Sequence, residues 1–115
     1  MLFNEFQSTL NNVSIDATLD SIGAIDNKLP VWNFFENIFL NKPSIINILA
    51  YNIDGEPIIK ILNFDGDKII YKYISKIGTI EYMGNGFKKV KKGSNISYDL
   101  YDKTKFVINM FSYSN

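Results

Sequence analysis

The 115-residue chain contains no cysteine, no histidine and no arginine, and all 12 of its basic residues are lysine. Without cysteine it has neither a disulfide framework nor thiolate chemistry. Without histidine and cysteine it lacks the usual ligands of zinc and most transition metals, and it lacks the commonest general base. Without arginine it has no bidentate donor for phosphate, carboxylate or guanine. We therefore expect a protein that is not an enzyme and holds no cofactor and no metal, with carboxylate or lysine chemistry as the minor alternative.

Long apolar runs are also missing. Asn4, Glu5 and Gln7 interrupt the N-terminus, so it does not have the pattern of a secretory leader, and no stretch of about 20 apolar residues is present to cross a bilayer. Hydrophobic residues make up 46% and charged residues 21% of the chain, as in globular proteins. We predict a single domain over residues 1–115, a cytoplasmic location and no membrane span.

The net charge is zero, but the charges are unevenly distributed along the chain. Residues 1–65 carry eight acidic side chains against three lysines, and residues 66–115 carry nine lysines against four acids. Folding could separate an acidic face from a basic one, or it could bring the two halves together so that they cancel, and we take cancellation as the simpler expectation.

Residues 45–73 give the strongest structural signal. Three apolar runs, rich in β-branched and aromatic residues, are separated by Asp54-Gly55 and Asp65-Gly66, which is typical of consecutive β-hairpins. This pattern predicts a three-stranded antiparallel meander whose first strand lies inside the sheet, because that strand is apolar on both faces. The aspartates superficially resemble a calcium loop, but their spacing does not fit one, so turn formation is their expected role.

The segment before the meander predicts a strand and then a helix. Residues 13–20 alternate between apolar and polar side chains, as in a half-buried strand. Pro30 suits the first turn of a helix of about residues 30–41. An apolar stripe on this helix should cover the sheet as ordinary core, with a ligand pocket near the tryptophan as the alternative. The stripe comprises Val31, Phe34, Phe35 and Ile38, widened by Trp32 and Phe39.

Further strands are predicted around a Gly84-Asn85-Gly86 turn and at the end of the chain, where Phe106, Ile108 and Met110 should point inward. The predicted fold class is α+β, with a single, mainly antiparallel β-sheet and one main helix packed on one face. The N-terminal spacing is compatible with a further short helix. Its apolar positions are Leu2, Phe3, Phe6 and Leu10.

Four lysines within five residues form the sharpest local charge feature. They are Lys88, Lys89, Lys91 and Lys92, which surround Val90. Such a cluster could bind an acidic protein partner, an anionic lipid surface or nucleic acid, or it could keep a strand edge soluble. Nucleic acid is disfavoured because the net charge is zero, arginine is absent and no known reading motif is present. Among the functional alternatives, we favour an acidic protein partner.

A characteristic set of residues runs through the meander: Tyr51-Asn52-Ile53-Asp54-Gly55-Glu56-Pro57-Ile58, Leu62, Phe64-Asp65-Gly66, Ile69, Tyr71 and Tyr73. This set resembles a family of small, functionally uncharacterised proteins, many of them secreted lipoproteins of Gram-positive bacteria. The resemblance covers about residues 13–100, and it implies a strand, a helix and a meander in this order. It implies no activity, and the chain lacks the lipidation cysteine and the late cysteines of the family.

Two function classes follow from these observations. The first is a small, non-enzymatic protein that binds and neutralises a protein partner, such as a toxin-immunity protein or a phage-encoded inhibitor, with the four lysines as partner-binding residues. The second is an envelope-related structural or ligand-binding domain with an apolar cleft near Trp32. The sequence does not indicate an oligomeric state.

Overall fold

The computed structural model describes residues 5–114, which form two helices and eight strands. The prediction of an N-terminal helix rests on four apolar positions, and two of them, Leu2 and Phe3, lie outside the described residues. The elements are α1 (Glu5–Asn12), β1 (Ala17–Leu19), α2 (Leu29–Phe39), β2 (Ser44–Tyr51), β3 (Pro57–Phe64), β4 (Ile69–Ser75), β5 (Gly78–Gly84), β6 (Gly86–Lys92), β7 (Asn95–Asp102) and β8 (Lys105–Ser114).

The strands form two sheets, with the orders β1-β2-β3-β4-β5 and β6-β7-β8. The α+β class and the antiparallel pairing are confirmed, whereas the prediction of a single sheet is wrong. The chain changes sheets at Asn85, whose N–H donates to the Tyr101 carbonyl at 3.0 Å. A Cβ added to Gly84 would lie 2.4 Å from that same oxygen, so only glycine allows β5 and β7 to approach this closely. The predicted turn is therefore a corner between sheets.

The central meander has the predicted antiparallel register. Strands β2 and β3 pair from Ser44 opposite Phe64 to Tyr51 opposite Pro57, and β4 continues beside β3. Strand β2 is interior, as predicted, because β1 lies on its other side. Its two faces differ in burial, however. Ile46 and Ile48 are buried, while Ile45 is 55% exposed.

Strand β1 is shorter than predicted, and it runs parallel to β2. The burial of residues 13–20 does alternate as expected, but only three residues join the ladder. Just before β1, the Asp16 side chain takes the place of a ladder partner. Its Oδ2 accepts the Asn47 N–H at 2.8 Å, while the Asp16 N–H donates to the Asn47 carbonyl at 2.8 Å.

Helix α2 begins one residue before the predicted start, has Pro30 in its first turn, and ends at Phe39, two residues before the predicted end. Asn41, just after the helix, has a φ of 56°. Val31, Phe34 and Phe35 are buried as predicted. The prediction that Trp32 and Phe39 widen the buried stripe is wrong, since they are 49% and 73% exposed. The buried arc of the helix is narrower than its apolar arc, so aromatic side chains remain on the surface.

The two faces of the five-stranded sheet bury separate clusters. One face packs with α2 and the three-stranded sheet in the main core. The other face packs with α1 through Phe6, Ile59 and Ile74. Helix α1 therefore belongs to the fold, and it covers part of this second face, on which Ile45 stays exposed.

Strand β8 departs from simple alternation. Met110 is fully buried as predicted, but Phe106 is 56% exposed, so its predicted inward orientation is wrong. Register shifts between Tyr98 and Asp99 and between Leu100 and Tyr101 separate the two halves of the strand. A bulge of this kind changes which residues of a strand face inward.

Candidate functional site

The four predicted partner-binding lysines all lie on β6, an outer strand of the three-stranded sheet. Because side chains alternate along a strand, Lys88 and Lys92 lie on one face with Val90, whereas Lys89 and Lys91 lie on the other. All four are exposed. In the part of the chain that the structure describes, no carboxylate forms an ion pair with any of them. Strand β6 therefore presents four lysines without an ion pair, two on each face.

One of these lysines makes a defined contact on the outer face. The Lys88 ammonium lies 4.5 Å from the centre of the Tyr101 ring, a cation–π distance. Its cross-strand neighbour is Asp99, whose Oδ1 accepts a hydrogen bond from the Asn109 amide at 2.9 Å. The Asp99 carboxylate is thus engaged by β8, and Lys88 remains available at the surface.

A groove lies between α2 and β6 and has a volume of about 320 Å³. Its floor consists of the buried Phe35 and Tyr98, whose rings stack with centroids 3.9 Å apart. Exposed side chains of α2 line one wall, and side chains of β6 line the other. We call this feature the aromatic groove, and its lining residues are Trp32, Phe35, Glu36, Phe39, Phe87, Lys89 and Tyr98.

The aromatic groove is fixed by contacts on both walls. Phe87 lies 4.7 Å from Phe35 and 5.5 Å from Phe39, measured between ring centroids. The Trp32 indole N–H donates to the Tyr113 hydroxyl at 3.1 Å. These contacts hold large rings in place although two of them are solvent-exposed, so a ligand entering the groove would meet a preformed surface.

The groove is mainly apolar and carries one charge of each sign. Glu36 lines it from the helix and Lys89 lines it from β6. Burial raises the pKa of the Tyr98 phenol, and the neighbouring Tyr113 hydroxyl adds to this effect. Tyr98 is neutral near pH 7, as an unperturbed tyrosine would be, and it contributes its ring to the floor.

Lys60 is the most perturbed basic group, and sequence reasoning missed it. Burial lowers its pKa from 10.5 to about 8. Its Nζ donates to the Met110 carbonyl at 3.2 Å, which links the two sheets. Lys60 does not line the aromatic groove. A single lysine within the apolar run of residues 58–62 was the available signal, and the bond to Met110 accounts for its position.

The aspartates of the two turns stabilise those turns, as predicted. Asp54 Oδ1 accepts the Glu56 N–H at 3.0 Å, and Asp65 Oδ1 accepts the N–H groups of Asp67 and Lys68 at 2.8 Å and 2.7 Å. The two bonds at Asp65 lower the pKa of its carboxyl. Within residues 5–114, no group of three or more metal-ligating side chains is arranged to hold a metal ion.

Comparison with known proteins adds no relative. The chain matches no family model, no curated protein and no solved structure. The resemblance to the lipoprotein family therefore stays a prediction. Neither described helix is both long and apolar enough to span a bilayer.

The sequence thus located both parts of this candidate site but not their proximity. The lysines were selected from their local charge, and the region near Trp32 was considered only as an alternative to plain core. The structure brings the two together, because Lys89 and Phe87 of β6 line the same groove as Trp32 and Phe39 of α2.

Proposed function

We propose that this chain is a non-enzymatic interaction protein that binds and neutralises a protein partner, in the manner of a toxin-immunity protein or a phage-encoded inhibitor. The observation that carries the proposal is the position of β6, whose four lysines form no ion pair with a described residue, as one wall of an aromatic groove with exposed rings. Protein interfaces are enriched in aromatic residues at their centre, and charge complementarity brings partners together. The exposed rings belong mainly to Trp32 and Phe39 rather than to tyrosines.

The partner surface is expected to be acidic, with an apolar centre. Strand β6 contains no acidic residue, so its field attracts negative charge. Trp32 and Phe39 supply the large rings that commonly carry binding energy when a partner covers them. The nearby buried stack of Phe35 on Tyr98 supports them from below.

The test is to co-express the chain with each protein encoded beside its gene and to look for a complex by size-exclusion chromatography. A toxic neighbour should become harmless in the presence of the chain. Changing all four lysines of β6 to glutamate should weaken the complex and remove protection. A tight complex that is unaffected by this change would exclude β6 from the interface, and the absence of any complex would count against the proposal.

The second candidate is a ligand-binding domain of the envelope-related kind. The aromatic groove favours it because about 320 Å³ is at the lower end of the range of about 300–1,000 Å³ for small-molecule sites. An anilinonaphthalene sulfonate dye tests it by titration. Saturable binding that is lost in Phe39→Ser would support a ligand site, and the partner assay above would then separate the two functions.

A further inference from the structure

Strand β6 has a free edge along its whole length. It pairs with β7 on one side through an unbroken register, from Gly86 opposite Tyr101 to Lys92 opposite Asn95. In the described part of the chain, no segment pairs with its other side. An unpaired, regular strand presents a row of N–H and C=O groups that can accept another strand.

A single loop bonds to two other sheet edges of the molecule. Beside β1, the Asp26 N–H donates to the Thr18 carbonyl at 3.1 Å. Beside β8, the Ser114 N–H donates to the Gly23 carbonyl at 2.7 Å. Residues 20–26 thus pair with β1 and with Ser114 at the end of β8, whereas the outer sides of β5 and β6 have no partner among the described residues. Strand β6 contains neither a proline nor a bulge.

The free edge and the aromatic groove are adjacent. Phe87 and Lys89 belong to β6 and also line the groove. Lysines alone on an edge strand are a common protection against aggregation. Exposed rings next to the same edge have the opposite effect, because they favour the burial of an apolar partner. This combination indicates a binding edge.

We propose that the aromatic groove and the free edge of β6 together bind an extended peptide segment of the partner, which adds to the three-stranded sheet as a fourth strand and alternates apolar with acidic side chains. This inference rests on the proposed function and specifies the chemistry of its partner. Strand addition supplies main-chain hydrogen bonds, and alternate side chains supply specificity.

The alternation follows from the two faces of β6. Partner side chains on the groove face lie beside Phe87 and the adjacent Phe39, so apolar and aromatic residues fit there between the ammonium groups of Lys89 and Lys91. Partner side chains on the opposite face lie beside Lys88 and Lys92, so acidic residues fit there. Cross-strand pairs of opposite charge and buried apolar contacts would then be formed by the same short segment.

The probe is a synthetic peptide of about ten residues that alternates glutamate with phenylalanine and valine, titrated into the intact protein. Trp32 is the only tryptophan in the chain and lines the groove, so its fluorescence reports binding. The amide hydrogen exchange of β6, followed by NMR, should slow at alternate residues. Two further peptides, N-methylated at odd or at even positions, test pairing directly. One of them should lose binding and the other should retain it, because an added strand pairs through one edge.

Matched variants test the two faces separately. The double change Lys88→Glu and Lys92→Glu should weaken peptide binding by about tenfold or more, because it creates like-charge pairs. Lys68→Glu with Lys76→Glu makes the same charge change at the two ends of β4 and should leave binding unchanged. Phe39→Ser should weaken binding, whereas Ile53→Ser, at a residue that is 95% exposed in the β2–β3 turn, should not.

The outcomes separate this inference from the proposed function. Equal binding by both N-methylated peptides, no change in β6 exchange, or no peptide binding at all would each overturn strand addition. If the natural partner complex were nevertheless lost when the four lysines are reversed, the proposed function would stand. If the peptide bound as expected but no protein partner formed a complex, the proposed function would fail while the binding edge would stand.

Discussion

The Lys60 ammonium donates to the main-chain carbonyl of Met110 at 3.2 Å, and this bond joins the five-stranded sheet to the three-stranded sheet. The ammonium is largely removed from water, which is why its pKa falls from 10.5 to about 8. A charged group held at this position opposes folding through its desolvation and supports it through one hydrogen bond. The net effect of Lys60 on stability therefore depends on pH, because deprotonation removes the charge that has to be desolvated.

We expect the free energy of unfolding to rise between pH 8 and about pH 9.5. The pKa of Lys60 is lower in the folded than in the unfolded chain, so the unfolded chain binds more protons in this window, and stability is lost as the pH falls through the folded pKa. The rise should amount to about 1–2 kcal/mol. Urea unfolding at several pH values measures it.

Lys60→Met is the control for this pH dependence, because it removes the titrating group and keeps an unbranched apolar stem. Its free energy of unfolding should be flat over the same window. Above about pH 10 the wild type should lose stability again, since burial raises the pKa of Tyr71 and Tyr98 above the ordinary value of 10.0. A wild-type profile as flat as that of Lys60→Met would show that Lys60 titrates normally.

Features set by neighbouring residues were predictable from the sequence. The Asp54 and Asp65 turns depend on side chains that bond main-chain groups two or three residues away, and the meander follows from them. Helix α2 likewise follows from Pro30 and the spacing of its apolar residues. In each of these cases the determinant lies within a few positions of the structure that it causes.

Features set by distant contacts were not predictable. The change of sheet at Gly84 depends on the approach of Tyr101, and nothing near Gly84 signals it. The exposure of Phe106 depends on register shifts in the β7–β8 pair. The exposure of Trp32 depends on how much of α2 the sheets cover, which periodicity does not specify. The aromatic groove depends on contacts between residues that are distant in the sequence. Its parts could therefore be predicted from the sequence, but their assembly into one groove could not.

The corner between the sheets should not tolerate a side chain at Gly84. A Cβ there would lie 2.4 Å from the Tyr101 carbonyl oxygen and 2.8 Å from Leu100 Cδ1, so the Gly84→Ala change should destabilise the fold by about 1–3 kcal/mol or more. Gly86→Ala is the matched control, because an added Cβ there meets no atom within 4 Å. Its stability should stay within about 0.5 kcal/mol of the wild type. Chemical denaturation of both variants gives the comparison, and equal stabilities would contradict the close approach.

The turn between β3 and β4 should show its dependence on Asp65 in acid. The Lys68 and Asp67 N–H groups lower the pKa of this carboxyl below its usual 3.8, so its stabilising effect is present above that pH and is lost as the pH falls through the folded pKa. Asp65→Asn should therefore be less stable than the wild type at pH 7, and the difference should shrink in strong acid. Thermal unfolding at a series of pH values measures this convergence, and a difference independent of pH would contradict it.

Two phenylalanines of helix α2, four residues apart, should differ sharply in their contribution to stability. Phe35 is 4% exposed and stacks on Tyr98, so Phe35→Ala leaves a cavity and should cost about 3–5 kcal/mol. Phe39 is 73% exposed, so Phe39→Ala should cost less than about 1 kcal/mol. Urea unfolding followed by Trp32 fluorescence compares both variants with the wild type. If Phe39→Ala keeps the stability of the wild type but weakens binding, the defect reports on the groove surface itself. Equal destabilisation by both changes would instead place Phe39 in the core.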